Sequence, residues 1–307
     1  MKTHTYIYIG LFIAAVAVAV TVHFVRAAKV ETSHVSREIS CERVVSLAPS
    51  ITEMVFALEL GNRLVGVTRF CDYPAEARAK PKIGGYADPS YELVLRSRPD
   101  VVFLLNLHEK QREHLARLEI ETVTLNADTI SGIFESIHKI ATVCSVQPRG
   151  DRLTRSMQNR LAKIKELTKD KNRPRVLVSL GRSMGSNSIK EIFVAGKGTF
   201  FNEVVEMAGG QNAVQSQTVM YPRLSAEGVI DVNPEIIIDL VVDLEQKAII
   251  PDDIIKQWRG AASTDAVRNQ RVHVLSQDYV VVPGPRVVLL VEQIARLLHP
   301  DLDWSRL

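Results

Sequence analysis

The chain states one pattern twice. YADPSYELVLRSRPDVVF, from Tyr86 to Phe103, lies over YPRLSAEGVIDVNPEIII, from Tyr221 to Ile238, at an offset of 135 positions and without a gap. Five pairs are identical: Tyr86 and Tyr221, Ser90 and Ser225, Glu92 and Glu227, Val94 and Val229, Pro99 and Pro234. Asp100 and Glu235 match in charge, and an apolar run closes both copies. Each copy reads as an aromatic, a Ser N-cap, a short helix with Glu in its first turn, a Pro that ends the helix, and a buried strand. The expectation is two similar α/β lobes. Two lobes leave a cleft between them, and small ligands bind in such clefts.

Two further pairs extend the repeat. RVVSL at Arg43 and RVLVSL at Arg175 each open a lobe as a Val-rich strand, and ETVTLNAD, ending at Asp128, resembles RVHVLSQD, ending at Asp278. The offset grows from 132 to 150 between these pairs, so the second lobe carries insertions while the order of elements is kept. Between the lobes, Leu153, Met157, Leu161, Ile164 and Leu167 recur at steps of four and three with polar residues elsewhere. This spacing predicts one amphipathic helix, opened near Asp151 and ended by Asn172 and Pro174. About 20 residues at a rise of 1.5 Å give about 30 Å, the width of a small domain. The organisation expected is an N-terminal segment over 1–28, a linker over 29–42, a lobe over 43–147, a bridging helix over 148–172 and a second lobe over 173–307.

Composition narrows the function. With 307 residues the chain can hold two domains of ordinary size. Its 38 basic and 35 acidic residues leave a formal charge of +3 with no long block of one sign, which argues against nucleic acid as a partner. No charged residue lies between Lys2 and Arg26, and YIYIGLFIAAVAVAVTVHFV reads as the apolar region of a signal peptide with Val25 and Ala27 before the cleavage point. An uncleaved anchor is the alternative, because a run of this length also spans a bilayer. Either way the body of the protein is exported to a periplasmic or extracytoplasmic space. Cys41 stands too far from the apolar run to carry a lipid. Cys41, Cys71 and Cys144 have no metal-site spacing, so in an oxidising compartment they predict one disulfide and one leftover thiol, with the pairing open.

RVVSLAPSITEMVFALELGNRLVGVTRFCDYPAEARAKPKIGGY resembles the opening of the periplasmic substrate-binding proteins of vitamin B12, iron-siderophore and haem ABC importers. The similarity runs on through LVLRSRPDVVFLL, FFNEVVEMAGGQNAV, the second Ser-x-Glu helix and the segment from SQDY to PGPR, and is nearest to the vitamin B12-binding members. The resemblance implies two Rossmann-like lobes joined by one long helix. It also implies a non-enzymatic role: capture of a metal chelate, a cobalt corrinoid or else a ferric siderophore or haem, by a free monomer, and its delivery to an ABC permease dimer. A sensor fed by the same capture is the other outlet.

Ligands of open α/β sheets sit beyond the carboxyl ends of the strands. The loops there carry Phe70, Tyr86, Phe193, Tyr221 and the Asp278-Tyr279 pair, the positions that match cleft contacts in the vitamin B12-binding members, while Leu105 replaces a further aromatic. Rigid amphipathic rings suit a broad, partly apolar macrocycle. Arg69, Arg182 and Arg223 lie on cleft loops, where they can pair with ligand carboxylates or stand as solvated rim residues. The resemblance assigns Glu92 and Glu227 to permease docking, one per lobe.

Two catalytic patterns compete with binding. GRSMG, around Ser183, matches the nucleophile elbow, with Asp231, Asp243 and His273 downstream in hydrolase order. An elbow must turn straight into a helix, however, and SNSIKEIFVAG reads as a loop and a strand. The equivalent LAPSITE reads as a helix cap, with Ser50 and Glu53 as a capping box. His108 and His114 are six positions apart, on different faces of any helix, so they read as rim histidines rather than metal ligands.

Overall fold

The structure, a computed structural model, describes residues 39–182, 191–216, 219–242 and 250–307. In the first lobe β1 (Val44–Ser46), α1 (Pro49–Ala57), β2 (Leu64–Val67), α2 (Ala75–Arg78), α3 (Tyr91–Arg96), β3 (Val101–Leu105), α4 (Glu109–Arg117), β4 (Thr122–Leu125) and α5 (Ile130–Val143) follow one another. The long helix α6 (Gln147–Thr168) comes next. The second lobe holds β5 (Arg175–Arg182), β6 (Glu191–Val194), α7 (Phe200–Met207), β7 (Gln211–Asn212), β8 (Arg223–Ser225), α8 (Ala226–Val232), β9 (Ile236–Leu240), α9 (Pro251–Ala261), α10 (Asp265–Arg268), β10 (Val272–Leu275) and α11 (Val287–Leu298).

The first sheet is parallel in the order β2-β1-β3-β4. The second runs β10-β9-β5-β6-β8; β5, β9 and β10 are parallel, and β6 and β8 join antiparallel. The apolar runs of β3 and β9 are buried at every position, as strands covered on both faces require. Each sheet has its own core. Val45, Leu47, Val94, Val102, Leu104 and Leu115 pack together in the first lobe, and Leu177, Ile192, Val229, Ile237, Ile254 and Trp258 in the second.

The repeat survives at the level of single hydrogen bonds. Ser90 accepts from the Leu93 N–H and Ser225 from the Gly228 N–H, each capping its helix. Both helices end before Pro on a left-handed residue, Arg98 at φ 45° and Asn233 at φ 43°. Arg43 donates to the carbonyls of Arg98 and Ser97, and Arg175 to those of Asn233 and Val232. The Asp100 and Glu235 carboxylates return the contact by accepting the backbone N–H of Arg43 and of Arg175 respectively. In each lobe the guanidinium thus satisfies helix-end carbonyls that would otherwise lack partners.

Helix α6 opens at Gln147, one turn before Asp151, because Pro148 serves as an N-terminal starter whose missing N–H costs nothing there. Its buried side includes Met157, Leu161 and Ile164 and packs on α5 from the first lobe and on α7 and α11 from the second. Arg160 of α6 and Arg296 share the Glu292 carboxylate on α11, which tightens the second attachment. Cys41 and Cys144 form the disulfide and Cys71 is a buried free thiol. The bridge joins the two ends of the first lobe, closing a loop with a sequence separation of 103.

Candidate functional site

A cavity of about 360 Å³ lies between the lobes. The first lobe lines it from the loops after β1, β2 and β3, with Ser50, Glu53, Phe70, Asp72, Tyr73, Tyr86 and Leu105; the second contributes Val242, Asp278, Val281 to Pro283, and Arg286. These are the carboxyl ends of the strands, as the sheet topology demands. Gly84, at φ 106°, makes the turn that brings Tyr86 there; a Cβ on it would meet the Ser90 nitrogen at 2.7 Å.

The floor is ionic. Arg286 at the start of α11 donates through Nε to Glu53 Oε2 at 2.9 Å, through Nη2 to Glu53 Oε1 at 2.5 Å and through Nη1 to Asp278 Oδ1 at 2.8 Å. Its guanidinium lies 3.7 Å from the ring centre of Tyr73. Burial pushes the Glu53 carboxyl up, with Arg286 pulling it back only in part. Burial also opposes the charge on Arg286, but the hydrogen bonds and charges of Glu53 and Asp278 outweigh it and hold Arg286 above its usual range. The capping box expected of Ser50 and Glu53 does not form. Helix α1 is started by Pro49 with Ala48 as an N-cap that makes no side-chain bond, and Glu53 is drawn away by the charge across the cleft.

Tyr86 and Tyr221 answer to the same group. Burial raises both phenol pKa values, and the charge of the Asp128 carboxylate adds to the rise in each; Tyr86 lines the cavity, whereas Tyr221 is not among its lining residues and is 43% exposed. Asn106 holds that carboxylate with a hydrogen bond of 2.5 Å. His108 is buried, at 1% exposure, rather than on the rim. Its ring meets the edge of Tyr86 at 4.6 Å and its Nδ1 accepts the Leu105 N–H, so the turn after β3 folds it inward. Burial pulls its pKa down, against the backbone of Tyr86. His114 stacks on Tyr91 at 3.8 Å, away from His108.

The remaining expected positions separate. Phe70 lines the cavity with its ring largely exposed, and Arg69 sits 5.1 Å from the ring centre while bonded to Asp88. Phe193 on β6 is exposed opposite Arg223 of β8, whose guanidinium lies 4.7 Å from the ring centre and 3.7 Å from Glu191. Asp278 lines the cavity, whereas the Tyr279 hydroxyl donates to Gln293 on α11. Glu92 and Glu227 are exposed in the first turns of α3 and α8. Ser183 and Asp243 lie outside the described residues, as does the Arg182 side chain; the next described element after β5 is the strand β6, not a helix. Among the described residues no cluster of His, Cys, Asp and Glu is arranged to hold a metal ion. Glu53, Tyr73 and Arg286 were not expected in the site. The PGPR motif marks the segment, but nothing local ties Arg286 to a residue 233 positions earlier.

Residues 44–279 match the periplasmic binding protein family. The chain belongs to that family. It is a periplasmic binding protein, and the proteins it is similar to include vitamin B12-binding and heme-binding members. An uncharacterised ABC transporter substrate-binding lipoprotein, YvrC of Bacillus subtilis, is 29% identical over 272 residues, covering 85% of this chain and 81% of that one. The vitamin B12-binding protein of Vibrio parahaemolyticus is 27% identical over 255 residues, covering 82% and 88%. Among solved structures, the periplasmic heme-binding protein RhuT of Roseiflexus sp. RS-1 superposes with a TM-score of 0.73 at 26% identity, covering 85% of this chain and 99% of that one. The vitamin B12-binding protein BtuF of Vibrio cholerae, at 24% identity and a TM-score of 0.71, shares the two-lobed fold over 84% and 96%. Members of this family bind substrates for transport. Among the described residues no helix is long and apolar enough to cross a membrane.

Proposed function

We propose that this binding protein captures a corrinoid of the vitamin B12 type between its lobes outside the cytoplasm and delivers it to an ABC importer permease. The observation that carries this reading is the charge of the cavity. Glu53, Asp72 and Asp278 line it against a single described cation, Arg286, which is already committed to Glu53 and Asp278. Arg69 and Arg223 are likewise taken by Asp88 and Glu191. Carboxylates accept hydrogen bonds and cannot donate them, so they suit the carboxamide N–H groups around a corrinoid and repel ligand carboxylates. Phe70, Tyr73 and Tyr86 supply the flat apolar contact.

Haem or a ferric siderophore is the second reading, favoured by the Tyr86 phenol that lines the cavity. Iron prefers the phenolate, however, and burial together with Asp128 raises the phenol pKa of Tyr86, against that form. Titration of the purified protein with cobalamin, cobinamide, haem and ferric siderophores, followed by absorbance, decides between them. Cobalamin and cobinamide are expected to bind at micromolar concentration or below, with the anionic chelates weaker. Tighter binding of haem than of cobalamin overturns the reading.

Delivery uses Glu92 and Glu227, equivalent positions of the repeat and both exposed. Changing both to Ala is expected to leave cobalamin binding intact while uptake falls; normal uptake would return them to the role of helix-end charges.

A further inference from the structure

We propose that Leu95 and Ile230 are a matched pair of apolar anchors that seat the protein on the two subunits of its permease, an inference that rests on the docking role of Glu92 and Glu227. The two residues stand at the repeat offset of 135. Large apolar side chains are usually withdrawn from water, yet Leu95 is 45% exposed and Ile230 42%. Each follows its carboxylate by three positions on its helix, which places both groups of a pair on one face. The inward residue between them is buried in both copies, Val94 in α3 and Val229 in α8. Packing of the lobe is thus served by the valines, and neither Leu95 nor Ile230 is needed for it.

The two faces occupy equivalent places in the two lobes. Helix α3 begins five residues after Tyr86 and α8 five residues after Tyr221, and each is capped by the serine of the repeat. A partner that reads both faces must therefore offer the same socket twice, which a permease with two-fold symmetry does. The charges around the anchors differ. Glu92 is paired with Arg96 at 3.0 Å, whereas the position equivalent to Arg96 is Asp231, and Glu227 keeps its charge through its own backbone N–H and Ser225. The features common to both faces are one carboxylate and one apolar side chain a turn away. The carboxylates set encounter and orientation, and the apolar pair, once buried, slows release.

The test compares two double variants, Leu95→Ser with Ile230→Ser and Glu92→Ala with Glu227→Ala, for association with the permease–ATPase complex of the same importer in lipid nanodiscs at low and high salt. Cobalamin titration and urea denaturation check that ligand binding and folding are unchanged, and Leu95→Met with Ile230→Leu serves as the conservative variant. The Ser pair is expected to weaken association by about ten- to a hundredfold at both salt concentrations, through faster release. The conservative pair should stay near wild type. The Ala pair should lose mainly the salt-dependent part. Association of the Ser pair within twofold of wild type, with the Ala pair weakened, refutes the anchors and leaves the docking surface standing. If both pairs associate normally, the docking reading fails and the anchors fail with it.

Discussion

Glu53 and Arg286 join the two lobes at the floor of the cleft through two hydrogen bonds, both from the Nε–Nη2 edge of the guanidinium. Neither group has much contact with water: the side chains are 3% and 11% exposed. Asp278 and the Tyr73 ring hold the same guanidinium from two other directions. The site therefore includes a preformed clasp that touches the ligand space on one side and fixes lobe to lobe on the other.

Breaking that clasp from one side should cost more than removing it. Arg286→Met strands a buried carboxylate, so an unfolding free energy lower by about 3–5 kcal/mol is expected, and adding Glu53→Gln should recover part of the loss. Urea denaturation of the three proteins measures this. A single variant as stable as wild type would show that water reaches Glu53 freely.

Tyr86 and Tyr221 should carry much of the ligand contact. Replacing both by Ala is expected to weaken cobalamin binding by about 2–5 kcal/mol, with no matching loss of stability. Absorbance titration checks it, since Trp258 is fully buried in the second lobe and bonded to Asp239. Unchanged affinity would move the ligand away from both tyrosines.

Opening and closing should be small. One helix of 22 residues packs on both lobes, and the Glu53–Arg286 clasp spans them, so relative motion is limited to a modest tilt. Solution scattering is expected to give nearly the same radius of gyration with and without cobalamin. Marked compaction on binding would mean that the clasp and helix yield together.

Acid should loosen the fold through its buried and half-buried histidines. Burial is the leading cause that lowers the pKa of His108, His273 and His299 below the ordinary histidine value of about 6.5. Each folded pKa lies below its unfolded value, so the unfolded chain binds more protons in that window. The contribution is complete above about pH 6.5 and is lost as pH falls through the lowered values. Urea midpoints should drop between pH 7.5 and pH 5, and His108→Asn, which can still accept the Leu105 N–H, should shrink the drop. A slope unaffected by that change would assign the effect to other groups.

The repeat was legible because its signals are local. Ser90 and Ser225 cap the helices that follow them, Pro99 and Pro234 follow left-handed residues that end those helices, and the Val-rich strands at Arg43 and Arg175 start the sheets. The inner stripe of Met157, Leu161 and Ile164 announced the bridging helix, since helical period alone decides which face is apolar.

What the sequence by itself determined is therefore the two-lobed plan, the order of elements and the loops that line the cleft, all set by caps, turns and periodicity within a few residues. Only the tertiary structure decided the pairings between distant positions: Cys41 with Cys144 rather than with Cys71, β6 and β8 added antiparallel to the second sheet, and Glu53 turned from its own helix to Arg286. His108 was decided there too, folded beneath Tyr86 by the turn after β3. The physical reason is common to all four. A contact between residues far apart in the chain depends on the free energy of the assembled core, which no local window of sequence contains.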